Sequence, residues 1–183
     1  MRLKMMKRCM ACVILLWSGM QVAQAQRVSL KTNALYWAVA HPNLGVEFRL
    51  TPHYTLNVEV IGTYLHKGRF HARNIVANPE VRYWFNARPQ SQHFVGVMAF
   101  ASSYDYRTKK WNHIGEGFGA GVTYGYSWVL STHWSLEATA GLGAAYARDN
   151  TYRGENDPMT YDPNNKKVLP VVKLGVSFVY VMK

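Results

Sequence analysis

The feature that most constrains this chain is a strict alternation of residue types near its C-terminus. One set of alternate positions carries large apolar side chains: Leu174, Val176, Phe178 and Tyr180. The other set is Lys173, Gly175, Ser177 and Val179. A repeat of two residues is that of a β-strand, whose successive side chains point to opposite faces of the sheet. The segment therefore predicts a strand with two unlike faces.

The same segment resembles the C-terminal signal by which bacterial outer-membrane barrels are recognised for insertion. The residues that carry this resemblance are Lys173, Gly175, Phe178 and Tyr180. Three residues follow the last aromatic, whereas the usual signal ends on it. The resemblance implies that the barrel-assembly machinery is a partner of the chain. The last strand of a soluble sheet is the alternative interpretation.

Alternation recurs along the chain and divides the residues after Gln26 into eight segments. The predicted strands are 28–40, 44–51, 54–65, 75–86, 93–106, 116–130, 134–148 and 168–182. None of them has the 3.6-residue period of an amphipathic helix. The connections after the third, fifth and seventh segments are long and those after the second, fourth and sixth are short, as in outer-membrane barrels. The sequence therefore predicts an all-β fold, an eight-stranded antiparallel up-and-down transmembrane β-barrel.

Alternation alone does not decide which face points outward. A soluble lipocalin-like barrel would place the apolar face inward, around a ligand. Charged residues are only 17% of the chain, against about 25% in typical soluble domains, which favours the inverted, lipid-facing arrangement. The polar faces then enclose a narrow lumen, where charges must be paired because a lone buried charge costs several kcal/mol. The predicted lumen charge network is Lys31, Arg49, Arg82 and Lys173 against Glu47, Glu59, Glu80 and Glu137.

Aromatic residues gather near the predicted strand ends, where membrane barrels have aromatic girdles. At the periplasmic rim we expect Trp84, Phe85, Trp128 and Trp134. At the outer rim we expect Tyr104, Tyr106, Trp111 and Tyr146. This distribution also favours a barrel that faces lipid.

The first 25 residues have the order of a secretory signal. A basic start is followed by an apolar stretch from Cys9 to Met20 and a small-residue cleavage site at 23–25. We expect a signal peptide, 1–25, and a barrel, 26–183, in the cell outer membrane. Cleavage would lower the formal charge from +11 to +7 and remove both cysteines, which excludes a disulfide framework. A retained anchor is the alternative, but the stretch is shorter than the ~20 residues of a spanning helix.

Three stretches resemble a known family: Lys-Thr-Asn at 31–33, Pro-Asn-Leu-Gly-Val-Glu at 42–47 and Pro-Glu-Val-Arg-Tyr-Trp at 79–84. With them the chain resembles the small outer-membrane barrels of the outer-membrane-protein-A transmembrane type, and within these a Bacteroides-type family of unknown function. Genes of that family often lie beside genes for surface fimbriae, so the resemblance implies a link to fimbria assembly. It transfers no catalytic residue and no cofactor.

Two classes of function stay open. One is a non-enzymatic barrel that presents surface loops, and the other is a lipid-modifying enzyme of acyltransferase or deacylase type. The enzyme would use His71 or His113 with Ser102 or Ser103, but no spacing fixes a third, orienting carboxylate. We therefore predict no enzymatic activity, no catalytic residue, no cofactor and no metal. A channel is disfavoured because side chains about fill an eight-stranded interior.

The outer loops are the predicted binding surface, because loops carry recognition when strands serve the scaffold. They are expected at 66–74, 107–115 and 149–167. The acidic and amide residues of the last loop could hold Ca²⁺, but their spacing fits no EF-hand and favours a solvated loop. The basic loops predict contact with lipopolysaccharide phosphates and with a fimbrial or other surface protein, and make nucleic acid an improbable partner. The expected contacts are Arg69, Arg73, Lys109, Lys110 and Trp111.

Overall fold

The computed structural model describes residues 28–67, 70–86, 90–107, 112–152 and 166–182. The predicted signal peptide lies outside these residues, so its cleavage stays a prediction. Strands make up nearly all of the described chain. The elements are β1 (Val28–Asn33), α1 (Ala34–Ala38), β2 (Asn43–Arg49), β3 (Tyr54–Lys67), β4 (Phe70–Trp84), β5 (Gln92–Arg107), β6 (Asn112–Val129), β7 (Trp134–Tyr152) and β8 (Lys166–Val181).

The eight strands form one closed antiparallel barrel in sequence order. β8 closes onto β1, where Ser29 pairs with Val181 and Asn33 pairs with Ser177. Closure gives every strand two neighbours over part of its length and so removes the free edges of an open sheet there. The predicted eight-stranded up-and-down barrel is confirmed.

The two faces of the sheet have the polarity of a membrane barrel. Outward-facing Val97, Val122 and Leu142 are 61–65% exposed, whereas inward-facing Glu80 and Glu137 are 1% exposed. Monomeric soluble proteins rarely expose apolar surface over such a continuous area. The arrangement is therefore the inverse of a lipocalin-like barrel. Of the described helices, none is long and apolar enough to span a membrane.

The predicted first strand, 28–40, is wrong in its second half. β1 ends at Asn33, and Ala34–Ala38 form the helix α1. The Asn33 side chain accepts a hydrogen bond from the Leu35 backbone N–H, which is the geometry of a helix N-cap. Residues 34–40 are all apolar or aromatic, so their pattern did not separate a strand from a short buried helix.

The outer connections are shorter than predicted because the strands continue past the alternating segments. β3 reaches Lys67 and β4 starts at Phe70, so most of 66–74 is strand. β6 begins at Asn112 and β7 ends at Tyr152, which leaves 108–111 and 153–165 as the other outer connections. Backbone pairing between neighbouring strands does not require alternating side chains, so the ladder extends beyond the apolar pattern.

Large side chains of β5 fill the space above glycines of β6. In the register of this strand pair, Phe94 lies opposite Gly125, Met98 opposite Gly121 and Phe100 opposite Gly119. A Cβ at Gly121 would lie 2.7 Å from the Met98 methyl group, so a larger residue there would collide with it. The glycines of the polar face thus make room for neighbouring side chains that cross the narrow lumen.

Two of the expected girdle residues point inward. Trp84 is fully buried and its Nε1 donates to Thr55 Oγ1 at 2.9 Å, and Tyr104 lies over Gly115. Both residues occupy strand positions whose side chains point into the lumen, because side chains alternate between the two faces of a strand. Phe85, Trp128 and Trp134 face outward and are 47–58% exposed. Tyr106 and Trp111 have no described side chains, and Tyr146 faces outward beside Phe118.

Candidate functional site

The inner half of the lumen is crossed by a network of buried ion pairs centred on Arg82 of β4. Its Nη1 lies 2.9 Å from Glu137 Oε1 of β7 and 3.4 Å from Glu47 Oε2 of β2. Its Nη2 lies 2.9 Å from Glu80 Oε2 on its own strand. One guanidinium therefore joins three carboxylates on three strands. A planar fork of five N–H donors is suited to such contacts, and a lysine ammonium is not.

Two lysines complete the network on the other side of the lumen. Lys31 of β1 contacts Glu47 and lies 2.6 Å from Glu137 Oε2. Lys173 of β8 lies 3.2 Å from Glu80 and 3.5 Å from Glu59. Several of these pairs join strands that are not neighbours in the sheet. The network therefore bridges the lumen from wall to wall.

The structure brings together seven of the eight residues predicted for this network. Arg49 is the exception, because it is only half-buried at the end of β2 that leads into β3 and forms no ion pair with any residue in the described ranges. Three buried cations consequently face four carboxylates. Thr123 and Thr139 donate further hydrogen bonds to Glu80 and Glu137, at 2.5 and 3.2 Å, which offset the missing cation.

The apolar base of the lumen lies directly against this network. The Arg82 guanidinium lies over the Phe94 ring, 4.5 Å from its centroid, and the Trp84 and Phe94 rings are 4.7 Å apart. A cation over an aromatic face is attracted by the ring quadrupole. These contacts and the ion pairs close the inner half of the barrel with side chains.

A second feature is a break in the barrel wall at its outer half. β1 and β2 have only six and seven residues, whereas β3 to β8 have 14–19. Beyond Asn33 the wall therefore consists of β3 to β8. Among the described residues, the β8 edge that faced β1 has no strand partner from Leu174 to Lys166. This gap between β8 and β3 is referred to below as the seam.

Two buried asparagines hold the base of the seam. The Asn33 backbone N–H donates to Asn43 Oδ1 at 2.7 Å, and Asn43 Nδ2 donates to the Asn33 carbonyl at 3.0 Å. Asn33 Oδ1 accepts from the Val176 N–H at 3.2 Å, and its Nδ2 donates to the Leu174 carbonyl at 3.4 Å. The Asn33 side chain thus pairs with the β8 edge where β1 ends.

The helix α1 and the residues after it cross the seam from β8 to β3. α1 packs against β8. At its other end, the Pro42 carbonyl accepts from the Gly62 N–H at 2.9 Å, and His41 contacts the Thr63 hydroxyl. The end of α1 is closed by the Ala40 N–H, which donates to the Trp37 carbonyl at 3.0 Å, and by the His41 N–H, which donates to the Tyr36 carbonyl at 2.8 Å.

Gly175 leaves the space that Asn33 occupies. A Cβ at Gly175 would lie 2.8 Å from Asn33 Nδ2, which is too close for an ordinary contact. Of the other residues proposed as an insertion signal, Lys173 is buried in the lumen, and Phe178 and Tyr180 face outward at 47% and 38% exposure. The role of these four residues in insertion stays a prediction.

The sequence does contain a signal for the seam, although the alternation of residue types does not reveal it. Asn33 and Asn43 lie in the stretches 31–33 and 42–47 that carry the family resemblance. Both are polar residues at the ends of an apolar run, where helix caps and turns are common. Periodicity was the wrong criterion for a segment of only five helical residues.

Of the predicted surface-loop contacts, only Arg73 lies in the described ranges. It is exposed and faces outward near the outer end of β4. The other four, Arg69, Lys109, Lys110 and Trp111, lie outside the described residues. Their role therefore stays a prediction.

Ser102, one of the two serines considered for catalysis, lies apart from both histidines along the strands. Ser102 pairs with Gly117, four residues from His113, and with Val76, five residues from His71. At ~3.3 Å per residue these backbones are roughly 13 and 16 Å apart, beyond the reach of a nucleophile and its base. The Ser102 hydroxyl instead donates to the Gly117 carbonyl at 3.4 Å. Within the described part of the chain, no cluster of three metal-binding side chains is found.

A closed eight-stranded barrel with an apolar exterior and buried charges that fill the inner half of its lumen defines the class of small membrane-type β-barrels. Within this class, the chain belongs to the family described as "Protein of unknown function (DUF3575)", which matches residues 10–182. The chain is also similar to the crystal structure of Acinetobacter baumannii CarO, with 11% identity and a TM-score of 0.39. That similarity covers 86% of this chain and 96% of CarO. No curated protein matches the chain.

Proposed function

We propose that the protein spans the outer membrane as a non-enzymatic, closed barrel that docks a surface partner through its outer loops. The observation that carries this proposal is the inverted polarity of the barrel. Apolar side chains such as Val97 and Leu142 are exposed all along the outside, while Arg82 and its carboxylates are buried inside. Only a surrounding of lipid stabilises both faces at once.

The filled lumen supports a docking role over a channel role. Ion pairs from Arg82 and Lys173 cross the inner half, and the Trp84 and Phe94 rings pack beneath them. An ion would have to displace several mutually paired charges in order to pass. The separation of Ser102 from His71 and His113 along the strands supports a non-enzymatic role in the same way.

Basic residues at the outer ends support contact with anionic surface groups. Arg73 and Arg148 are exposed and lie on the outward face near the outer ends of β4 and β7. Lipopolysaccharide phosphates lie at this height, and guanidinium groups bind phosphate in a bidentate way. The family resemblance adds a fimbrial component as the expected protein partner, bound through Arg69, Arg73, Lys109, Lys110 and Trp111.

The experiment is a loop exchange followed by recovery of the partner from intact outer membranes. Replacing 108–111 by glycine and serine should release the partner, because this segment contains Trp111 and Trp concentrates binding energy at interfaces. A matched control is a Gly and Ser replacement of 87–89, which connects β4 and β5 at the opposite end of the barrel. Both variants should keep the electrophoretic mobility of the folded barrel.

A second pair of variants separates docking from catalysis. His71→Ala and His113→Ala should leave partner retention and lipid A composition unchanged. Altered lipid A acylation in either single variant, measured by mass spectrometry, would support the enzyme and overturn docking as the function. Equal partner retention in the exchanged loop and its control would also contradict the docking proposal.

A further inference from the structure

The outer half of the lumen is lined by apolar side chains together with a few polar ones, among them Thr63, Asn74 and Ser102. Directly above the ion pairs, the inward-facing positions of four strands carry Ile61, Val76, Phe100 and Val171, and Leu169 follows on β8. Small residues of β6 and β7, including Gly119 and Ala145, complete this ring. We refer to the space that these residues surround as the vestibule.

An apolar vestibule is unexpected in a barrel of this class. The interior of a membrane barrel is ordinarily polar, because it faces water or satisfies its polar groups internally. Here Leu169 points inward and is 48% exposed, and Ile61, Val76, Phe100 and Val171 are half-buried. The charged inner half, in contrast, is almost fully buried. The vestibule therefore presents apolar surface that the described residues do not cover.

The vestibule adjoins the seam and, through it, the lipid-facing surface. On β8 the inward Leu169 and Val171 alternate with the outward Val168 and Val172, which are 72% and 64% exposed. Leu174, where the seam begins, is six residues above Tyr180, or about 15 Å along the membrane normal at ~3.3 Å per residue and ~40° tilt. Lys166 is about 35 Å above Tyr180 by the same estimate. The seam thus crosses the outer part of the apolar band and reaches the headgroups.

The seam also contains polar backbone groups of β8. A hydrocarbon chain alone could not form hydrogen bonds with them. Above Leu174 the β8 edge has no strand partner on this side, so its backbone N–H and C=O groups face the seam. Exposed backbone groups at membrane depth are costly unless they are hydrogen-bonded. An amphiphile with an ester or amide linkage at the seam and its chain in the vestibule meets both requirements.

We infer that the vestibule binds one acyl chain of an outer-leaflet lipid, which enters sideways through the seam between β8 and β3, above α1. This inference rests on the proposed outer-membrane location and adds a ligand class to it. α1 and Asn33 form the lower border of the entry. The ion pairs around Lys173 and Glu80 form the floor that stops the chain.

The experiment uses the parity of β8 as its readout. The refolded full barrel is placed in vesicles that contain a phospholipid with a photoactivatable diazirine on one acyl chain, and labelled residues are mapped by mass spectrometry. Bulk lipid should label the outward residues Val168 and Val172. A chain in the vestibule should also label the inward residues Leu169 and Val171.

Substitutions on the two faces of β8 test the site, with the inward Val171 as the test position and the outward Val172 as the matched control. Val171→Trp should fill part of the vestibule and reduce labelling of Leu169 by about tenfold. This is the factor expected when two methylene groups of the acyl chain lose their apolar contacts. Val172→Trp, one residue away on the lipid side, should leave labelling of Leu169 unchanged. Leu169→Trp, read at Val171, replaces the first variant if that variant does not fold, as judged by its mobility on an unheated gel.

The other possible labelling results test the acyl-chain site, the membrane location and the lateral route separately. Labelling of Val168 and Val172 without Leu169 and Val171 would overturn the acyl-chain site and keep the membrane location. Labelling of neither set would contradict the membrane location itself. Inward labelling by a soluble diazirine fatty acid, but not by the phospholipid, would show entry from the medium and overturn the lateral route.

Discussion

At the scale of single residues, the lumen depends on one arginine more than on any other side chain. Arg82 is 2% exposed and contacts Glu47, Glu80 and Glu137, and it also stacks on Phe94. Removing one partner from a buried ion pair is costly because the remaining charge keeps its desolvation penalty. With four carboxylates already facing three cations, loss of Arg82 would leave the lumen strongly anionic.

Arg82→Met should therefore lower the free energy of unfolding by about 3–5 kcal/mol. Arg49→Met is the matched control, since Arg49 is a half-buried arginine on the inward face without an ion pair to a described residue. Its effect should stay below about 1 kcal/mol. Urea titration in lipid vesicles, with the mobility of the unheated barrel as the signal for folding, measures both. Equal losses for the two variants would contradict the network as the main stabilising contact.

At the scale of elements, the two shortest strands explain the position of α1. β1 ends and β2 begins where Asn33 and Asn43 exchange hydrogen bonds, and α1 begins at the same point because Asn33 is its N-cap. β8 needs a partner for the Leu174 and Val176 backbone groups there, and Asn33 supplies it. One side chain thus ends a strand, starts a helix and covers a sheet edge.

Gly175 gives a prediction that separates packing from recognition by the assembly machinery. Gly175→Ala should destabilise the barrel by about 1–3 kcal/mol because its Cβ would overpack against Asn33. In an Asn33→Ala background, which itself costs about 1–3 kcal/mol, the added Cβ has room and Gly175→Ala should be nearly neutral. Unfolding in urea and the amount of barrel in the membrane are measured for all four proteins of the cycle. If adding Gly175→Ala to Asn33→Ala instead lowered the amount of assembled barrel as much as Gly175→Ala does alone, Gly175 would belong to the insertion signal.

At the scale of the whole molecule, aromatic pairs gather on the outward surface at the end of the barrel where β2–β3, β4–β5 and β6–β7 are connected. The rings of Trp134 and Tyr180 are 5.0 Å apart, those of Tyr126 and Trp128 4.8 Å, and those of Tyr83 and Phe85 5.6 Å. Amphipathic rings at this level are typical of the interface between lipid and water. They support a fixed depth of the barrel in a bilayer.

The whole protein should behave as an exported outer-membrane barrel. We expect it in the outer-membrane fraction, with different mobilities before and after boiling, because a closed barrel resists detergent until it is heated. Its mature N-terminus should be Gln26, which N-terminal mass spectrometry would identify. Recovery as a soluble periplasmic protein would contradict the location, and retention of residues 1–25 would indicate an N-terminal anchor.

The sequence by itself determined the strand number, the up-and-down order and the two faces. Each of these follows from local alternation, because a strand of period two shows its faces in the order of its residues. It also named seven members of the lumen network, together with Arg49, which forms no ion pair to a described residue, since single charges such as Arg82 and Glu137 on otherwise small, polar faces must meet one another. The Bacteroides origin, the fimbrial link and the surface contacts remain predictions.

Only the tertiary structure decided what depends on the stagger between strands. The register of β1 against β8 ends at Asn33, and this leaves the outer half of β8 without a partner and places α1 in the wall. The inward direction of Trp84 and the exclusion of Arg49 from the ion pairs have the same origin. Pairing partners lie far apart in the chain, and no local pattern encodes how far one strand is shifted along another.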